Sequence, residues 1–170
     1  MENLFVKNIL LFVILIFVGV IFTLIAIKVI NLIFSKKASF SELSKNLSYS
    51  IVSSASVLCL GIIFSKIYNP LHEIFRILSS GENYIWSSIK YTSAFLGMAF
   101  LSWVIVIGIS TTVISVLTKD IDELEELRND NWKLAILLAS CIIGLTLMIS
   151  NPIIGLLESI IPYPNIPNLF

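Results

Sequence analysis

LAILLASCIIGLTLMISNP, residues Leu134–Pro152, is the stretch whose reading decides the fold. It is an apolar run with Ala135, Ala139, Ser140 and Gly144 spaced through it, introduced by an acidic segment and closed by Asn-Pro. A helix of this length approaches the roughly 30 Å hydrocarbon thickness of a bilayer. An earlier stretch, Ile51–Pro70 (IVSSASVLCLGIIFSKIYNP), has the same plan. The whole composition agrees. Over 170 residues, 57% are hydrophobic and 13% charged, against about 25% charged in soluble domains. A small soluble domain keeps too much surface to hide that much apolar side chain, so the excess is expected to face lipid.

Four stretches are long and apolar enough to span: Leu4–Phe34, Leu47–Tyr68, Thr92–Leu117 and Leu134–Ser150. The first exceeds a secretory signal's apolar core of about 7–15 residues and has no A-x-A-like site after it, so it reads as a retained anchor. Lys7 and Lys28 would snorkel towards the two interfaces. The second is interrupted by Ser50, Ser53, Ser54 and Ser56, which a helix tolerates because a hydroxyl can bond the preceding turn.

The connectors differ in kind. Ser35–Asn46 carries Lys36, Lys37 and Lys45, and Lys119–Lys133 carries Lys119, Arg128 and Lys133 among six acids. Ser39 with Glu42, and Asp120 with Glu123, have capping-box spacing, so the second and fourth helices are expected to begin in these loops and run on into the membrane. After Pro70, Leu71, Ile74, Phe75 and Leu78 fall on one face of a helical pattern; a short interfacial helix is expected there, ended by Ser79–Gly81. Tyr84, Trp86 and Tyr91 fit an aromatic belt. Pro162, Pro164 and Pro167 break the chain after the last span. The two charged connectors share one side and hold six Lys/Arg against four on the other (Lys7, Lys66, Arg76, Lys90). The positive-inside rule makes that side cytoplasmic and puts both termini outside.

The chain also matches itself. A shift of 84 residues aligns Val29-Ile30 with Val113-Ile114, Glu42-Leu43 with Glu126-Leu127, and Ala55-Ser56 with Ala139-Ser140. With a slip in frame, Gly61 meets Gly144 and Asn69-Pro70 meets Asn151-Pro152. Similar composition alone gives matches between apolar helices, but those in the polar connector and at Asn-Pro favour duplication. Two spans per copy return the chain to its starting side, so the copies are parallel. The expected architecture is therefore an all-α membrane protein of four transmembrane helices. A single domain over residues 1–170 would hold hairpin repeat 1 with its interfacial helix over 5–78, and hairpin repeat 2 over 90–161.

The segments FSELSKNLSYSI and DELEELRNDNWKLAILLASCIIG resemble the duplicated hairpin of a family of small bacterial membrane proteins catalogued as domain of unknown function 350. The resemblance covers roughly Val29–Pro152. It implies two spans per repeat, with an acidic-apolar element and an Asn before the second span and a Gly-bearing helix after it. These features map onto Glu42, Leu43, Asn46 and Gly61 in one copy, and onto Glu123, Leu124, Asn131, Ala135 and Gly144 in the other. The family pattern has Gly before the Asn and paired Ala after it. Here Lys45 and Asp130 precede, and Ser48-Tyr49 and Lys133-Leu134 follow. The family carries no activity to transfer.

Chemistry has few residues to work with. His72 is the sole histidine, which excludes a His-based triad or a multi-His metal site. It reads either as a pH sensor beside Glu73 or, more simply, as a polar residue on a wet helix face. Cys59 and Cys141 lie in apolar runs, where a thiol behaves as a small hydrophobe, and no cofactor or metal is implied. Asp122, Glu123, Glu125 and Glu126 lie in the densest charge cluster. They read as a solvated helix start or as a cytoplasmic contact for a protein partner. Gly97, Gly108, Thr111 and Ser115 recur at helical spacing in the third span, and Ser140 and Gly144 in the fourth. Small-xxx-small faces let helices approach closely; the alternative is a narrow polar pathway. Away from the span ends no Asp, Glu, Arg or His occurs, against the needs of proton-coupled transporters and voltage sensors.

The reading that follows is a non-enzymatic integral protein of a bacterial or archaeal cell membrane. It would be homo-oligomeric through the glycine-bearing faces, acting as a scaffold or partner-binding subunit beside a co-encoded protein, with no nucleic-acid partner. The alternative is a small pore lined by the third span and gated by the helix after Pro70.

Overall fold

The computed structural model describes residues 2–34, 45–78, 84–118 and 122–161. They form five helices: α1 (Glu2–Phe34), α2 (Leu47–Leu78), α3 (Tyr84–Leu117), the short α4 (Glu123–Arg128) and α5 (Trp132–Glu158). No strand occurs among the described residues. All four long helices contain a segment long and apolar enough to cross a membrane: Phe12–Phe34, Leu47–Ile77, Trp86–Leu117 and Trp132–Glu158. The helix start expected at Ser39–Glu42, the lysines 36, 37 and 119, Asp120, the Ser79–Gly81 break and the prolines at 162, 164 and 167 lie outside the described residues.

α2 and α5 form the central pair. Ser48 meets Asp130 near the start of both, and Cys59 meets Thr146 further along both, so the two run in the same direction. α1 runs against α2, with Phe34 on Tyr49 at one level and Phe22 on Phe64 at another. α3 packs against α2 and α5. Each buried stripe follows the helical period: Phe95, Ala99, Trp103, Val106, Ser110 and Ile114 on α3, and Ala135, Leu138, Ile142, Thr146, Ile153 and Leu157 on α5. Trp103 is buried, and its indole N–H donates to the Ser56 carbonyl and hydroxyl (3.2 and 3.1 Å). That contact gives the serine-rich second helix a polar partner inside the bundle. Phe22 touches both Phe64 and Phe100 (5.2 and 5.3 Å between ring centres), linking α1 to α2 and α3. Elsewhere α1 presents Phe12, Phe17, Leu24 and Leu32 outward.

Boundaries differ from the sequence reading at Pro70, at Pro152 and at the start of the fourth span. Pro70 and Pro152 end neither helix; both lie inside, α2 continuing to Leu78 and α5 to Glu158. No separate interfacial helix follows Pro70. Leu71 and Ile74 on one side and Leu157 on the other are fully buried, and their close packing holds each helix past its proline. Proline removes one backbone bond but its fixed φ is helical, so neighbouring helices can retain it. The fourth span does not run unbroken from the acidic connector either. α4 ends at Arg128 and α5 starts afresh at Trp132, because Asp130 has φ 63°.

Candidate functional site

The connector end is where the chain concentrates its polar contacts. α4 begins at Asp122, whose carboxylate accepts from the backbone N–H groups of Leu124 and Glu125 (both 3.1 Å). The helix start therefore falls two residues after the Asp120 expected from spacing. α4 closes in a Schellman arrangement: Asn131 N–H donates to Glu126 O (3.0 Å) and Asp130 N–H to Leu127 O (3.3 Å). That motif needs a left-handed residue, and Asp130 supplies it. Among non-glycine residues Asp and Asn enter this region most readily.

Asp130 also works across the bundle, accepting from Ser48 N–H (2.8 Å) at the first turn of α2. Asn46 caps that turn by accepting from Tyr49 N–H (2.7 Å), and its amide donates to Arg128 O (3.0 Å) and Leu127 O (3.4 Å). Asn131 plays the corresponding part for α5, accepting from Leu134 N–H (3.4 Å) while its amide donates to Glu126 (2.8 Å). Arg128 completes the node. Its Nε and Nη2 donate to the carbonyls of Phe34 and Ile33 (both 2.9 Å). α1 carries no basic residue in its last turn, so Arg128 satisfies orphan carbonyls and complements the helix dipole from another element.

The acids expected to meet a partner are therefore largely engaged within the chain. Asp122 caps α4 and Glu126 holds Asn131. Glu123 accepts from the Thr118 hydroxyl (2.6 Å), and this bond, followed by one from its own backbone N–H, holds its carboxyl below the ordinary Glu value. Glu125 is exposed, and no side-chain bond to it is found among the described residues. Leu127 is buried on the inner side of α4, while Leu124 stays exposed. No group of three His, Cys, Asp or Glu side chains converges as a metal site among the described residues. His72 stacks on Tyr68 (6.0 Å) one turn away, beside the Arg76–Glu73 pair.

The small-residue faces lie on the outside. Gly97, Gly108, Thr111 and Ser115 of α3, and Ser140 and Gly144 of α5, are all exposed. A methyl group built at Gly97, Gly108 or Gly144 would meet no atom within 4 Å. Their hydroxyls fold back on their own helices: Thr111 onto the Ile107 and Gly108 carbonyls, Thr112 onto Gly108 (2.8 Å) and Ser140 onto Ile136 (2.8 Å). These side chains thus satisfy themselves without a neighbour.

Comparison with known proteins bears on the half of the chain that holds α3, α4 and α5. Residues 83–162 match the family described as Domain of Unknown Function (DUF350). Over these residues the chain is similar to that family. No curated protein and no solved structure matches. The matched region contains the Asp122 cap, the Asp130 turn, the Asn131 cap and the outward Gly97–Ser115 face. Asn46 and Asn131 were legible as an Asn before each second span. Arg128 was read only as a connector charge, because its carbonyl partners on α1 are more than ninety positions away.

Proposed function

We propose that the chain is a non-enzymatic, multi-pass integral membrane protein that self-associates through the outward face of α3 and serves as a scaffold or partner-binding subunit. One observation carries the self-association: Gly97, Gly108 and Gly144 are exposed and empty of neighbours. A glycine inside a helix costs about 1 kcal/mol relative to alanine, and no crowding within the chain calls for it. Close approach by a helix of a second copy does. The membrane setting is supported by the four long apolar helices and their outward Phe12, Phe17, Leu101, Leu147, Met148 and Leu156, far more exposed apolar surface than a soluble monomer carries.

In this reading the chain is two parallel copies of one hairpin. α2 and α5 both start at an Asn cap, both carry an internal Asn-Pro, and they pack side by side. The connector end faces the cytoplasm of a bacterial or archaeal cell and both termini face outward. Exposed Glu125 is then the acidic residue best placed to meet a co-encoded protein. The hydroxyls of Thr111, Thr112 and Ser140 are bonded to their own helices, which suits a helix interface better than the wall of a pore.

Cysteine crosslinking tests this. In a chain with Cys59 and Cys141 replaced by alanine, Gly108→Cys should form a disulfide-linked dimer in native membranes, and Phe17→Cys on the outer face of α1 should not. Equal crosslinking at both positions, or none at Gly108→Cys, would refute the interface. Steady conductance from reconstituted protein would favour the pore, and labelling of Ser39→Cys solely from outside would reverse the orientation.

A further inference from the structure

A cavity of about 310 Å3 lies at the connector end, between the last turns of α1 and α3 and beneath α4. Its volume falls at the lower end of small-molecule sites. Its deeper wall is apolar, built by Ile30, Phe34, Val52, Ile107, Leu138 and Ile142. Its polar groups are Thr111, Thr112, Ser115 and Glu123, supplied by the end of α3 and the start of α4. Thr111 and Ser115 are exposed and Glu123 is half-exposed, so the polar wall is also the outer rim. The cavity therefore grades from hydrocarbon-like to hydrogen-bonding along its depth. An amphiphile has that polarity; a wholly polar solute would leave the deep wall against unmatched groups.

The charge at the rim chooses among amphiphiles. Among the described residues Glu123 is the one charged group that lines the cavity, while Arg128 is turned away onto the α1 carbonyls. A carboxylate rim repels an anionic headgroup and favours one that donates charge-assisted hydrogen bonds. The cavity lies at the end of the long apolar helices, which on the membrane reading above, on which this inference rests, is headgroup depth. We propose that the cavity seats the acyl chain of one aminophospholipid from the bilayer, with the ammonium headgroup donating to Glu123.

The test uses the full chain reconstituted in nanodiscs containing equal parts of phosphatidylethanolamine and phosphatidylglycerol, then released into mild detergent for native mass spectrometry. One phosphatidylethanolamine per chain should remain bound. Leu138→Trp and Ile33→Trp fill the cavity from α5 and from α1, and each should abolish retention with helicity unchanged by circular dichroism. Glu123→Gln should keep a lipid but lose about tenfold of its preference for ethanolamine, the size of one charge-assisted hydrogen bond. Retention of phosphatidylglycerol to the same extent by the unmodified chain would overturn the proposal, whatever the fate of the tryptophan variants. Undiminished retention in both folded variants would do the same. A chain that inserts into the nanodisc yet retains no lipid defeats the cavity proposal alone. A chain that does not partition into the bilayer defeats the membrane reading instead.

Discussion

The connector end and the outer face of α3 use polar and small residues in opposite ways. At the connector end most polar groups find a partner inside the chain: Arg128 on the α1 carbonyls, Asp130 on Ser48, Asn46 on the end of α4. On the outer face Gly97 and Gly108 find none. The difference separates residues that build the monomer from residues left over for something outside it. Spacing alone offers both the acidic connector and the glycine face as candidate contacts. In the structure the acids are mostly caps and braces.

That contrast can be broken by mutation. The largest loss of stability is expected from Arg128→Ala, about 2–3 kcal/mol, because two hydrogen bonds from a charged donor vanish and the last α1 carbonyls lose their partner. Arg128→Lys should recover only part, since one ammonium cannot reproduce the fork. Unfolding by SDS, followed by circular dichroism, measures both. Equal stability of Arg128→Ala and the unmodified chain would mean the node is incidental.

Asp130 comes next and splits into two effects. Asp130→Ala should cost about 2 kcal/mol, combining strain at φ 63° with the lost bond to Ser48 N–H. Asp130→Gly keeps the backbone at ease and should cost about 1 kcal/mol. A reversed order would show that the left-handed turn is not what the position requires.

The outer face should behave the other way round. Gly97→Ala and Gly108→Ala together should leave the monomer as stable or more so, by at most about 1–2 kcal/mol from helix propensity, while weakening self-association in a crosslinking or energy-transfer assay. A fall in monomer stability there would place the glycines in the fold rather than at an interface.

The smallest effect expected is a pH dependence through Glu123. Its folded-state pKa is lowered, first by the Thr118 hydroxyl and then by its own backbone N–H. A depressed carboxyl contributes stability that is present above the unfolded-state value, about 4.3, and is lost as pH falls through the folded-state value. Thr118→Val should lower the neutral plateau of a stability–pH curve slightly and so flatten its acid limb, leaving the fully protonated end unmoved. Identical acid limbs would remove Glu123 from the account.

Much of the fold was written in composition and pattern. The lengths of four apolar runs fixed the number of long helices, because helix rise and bilayer thickness leave little choice. The resemblance placed an Asn before each second span, and Asn46 and Asn131 do cap α2 and α5, each accepting from the next turn. What could not be read was whatever depended on a distant partner. Pro70 and Pro152 looked like stops, since a local rule counts the missing N–H and not the fully buried Leu71 and Leu157 that hold each helix onward. Spacing picked out Gly97, Gly108, Ser140 and Gly144 but gave no direction. The side of a helix that faces the bundle is settled by which stripe packs, here Phe95, Trp103 and Ile114 on α3. Arg128 was one charge among many until the tertiary structure brought it to Ile33 and Phe34. The sequence by itself determined the four long helices, which rest on local geometry and hydrocarbon content. The tertiary structure alone decided what is inside, what is outside and what braces what, because those depend on contacts between residues far apart in the chain.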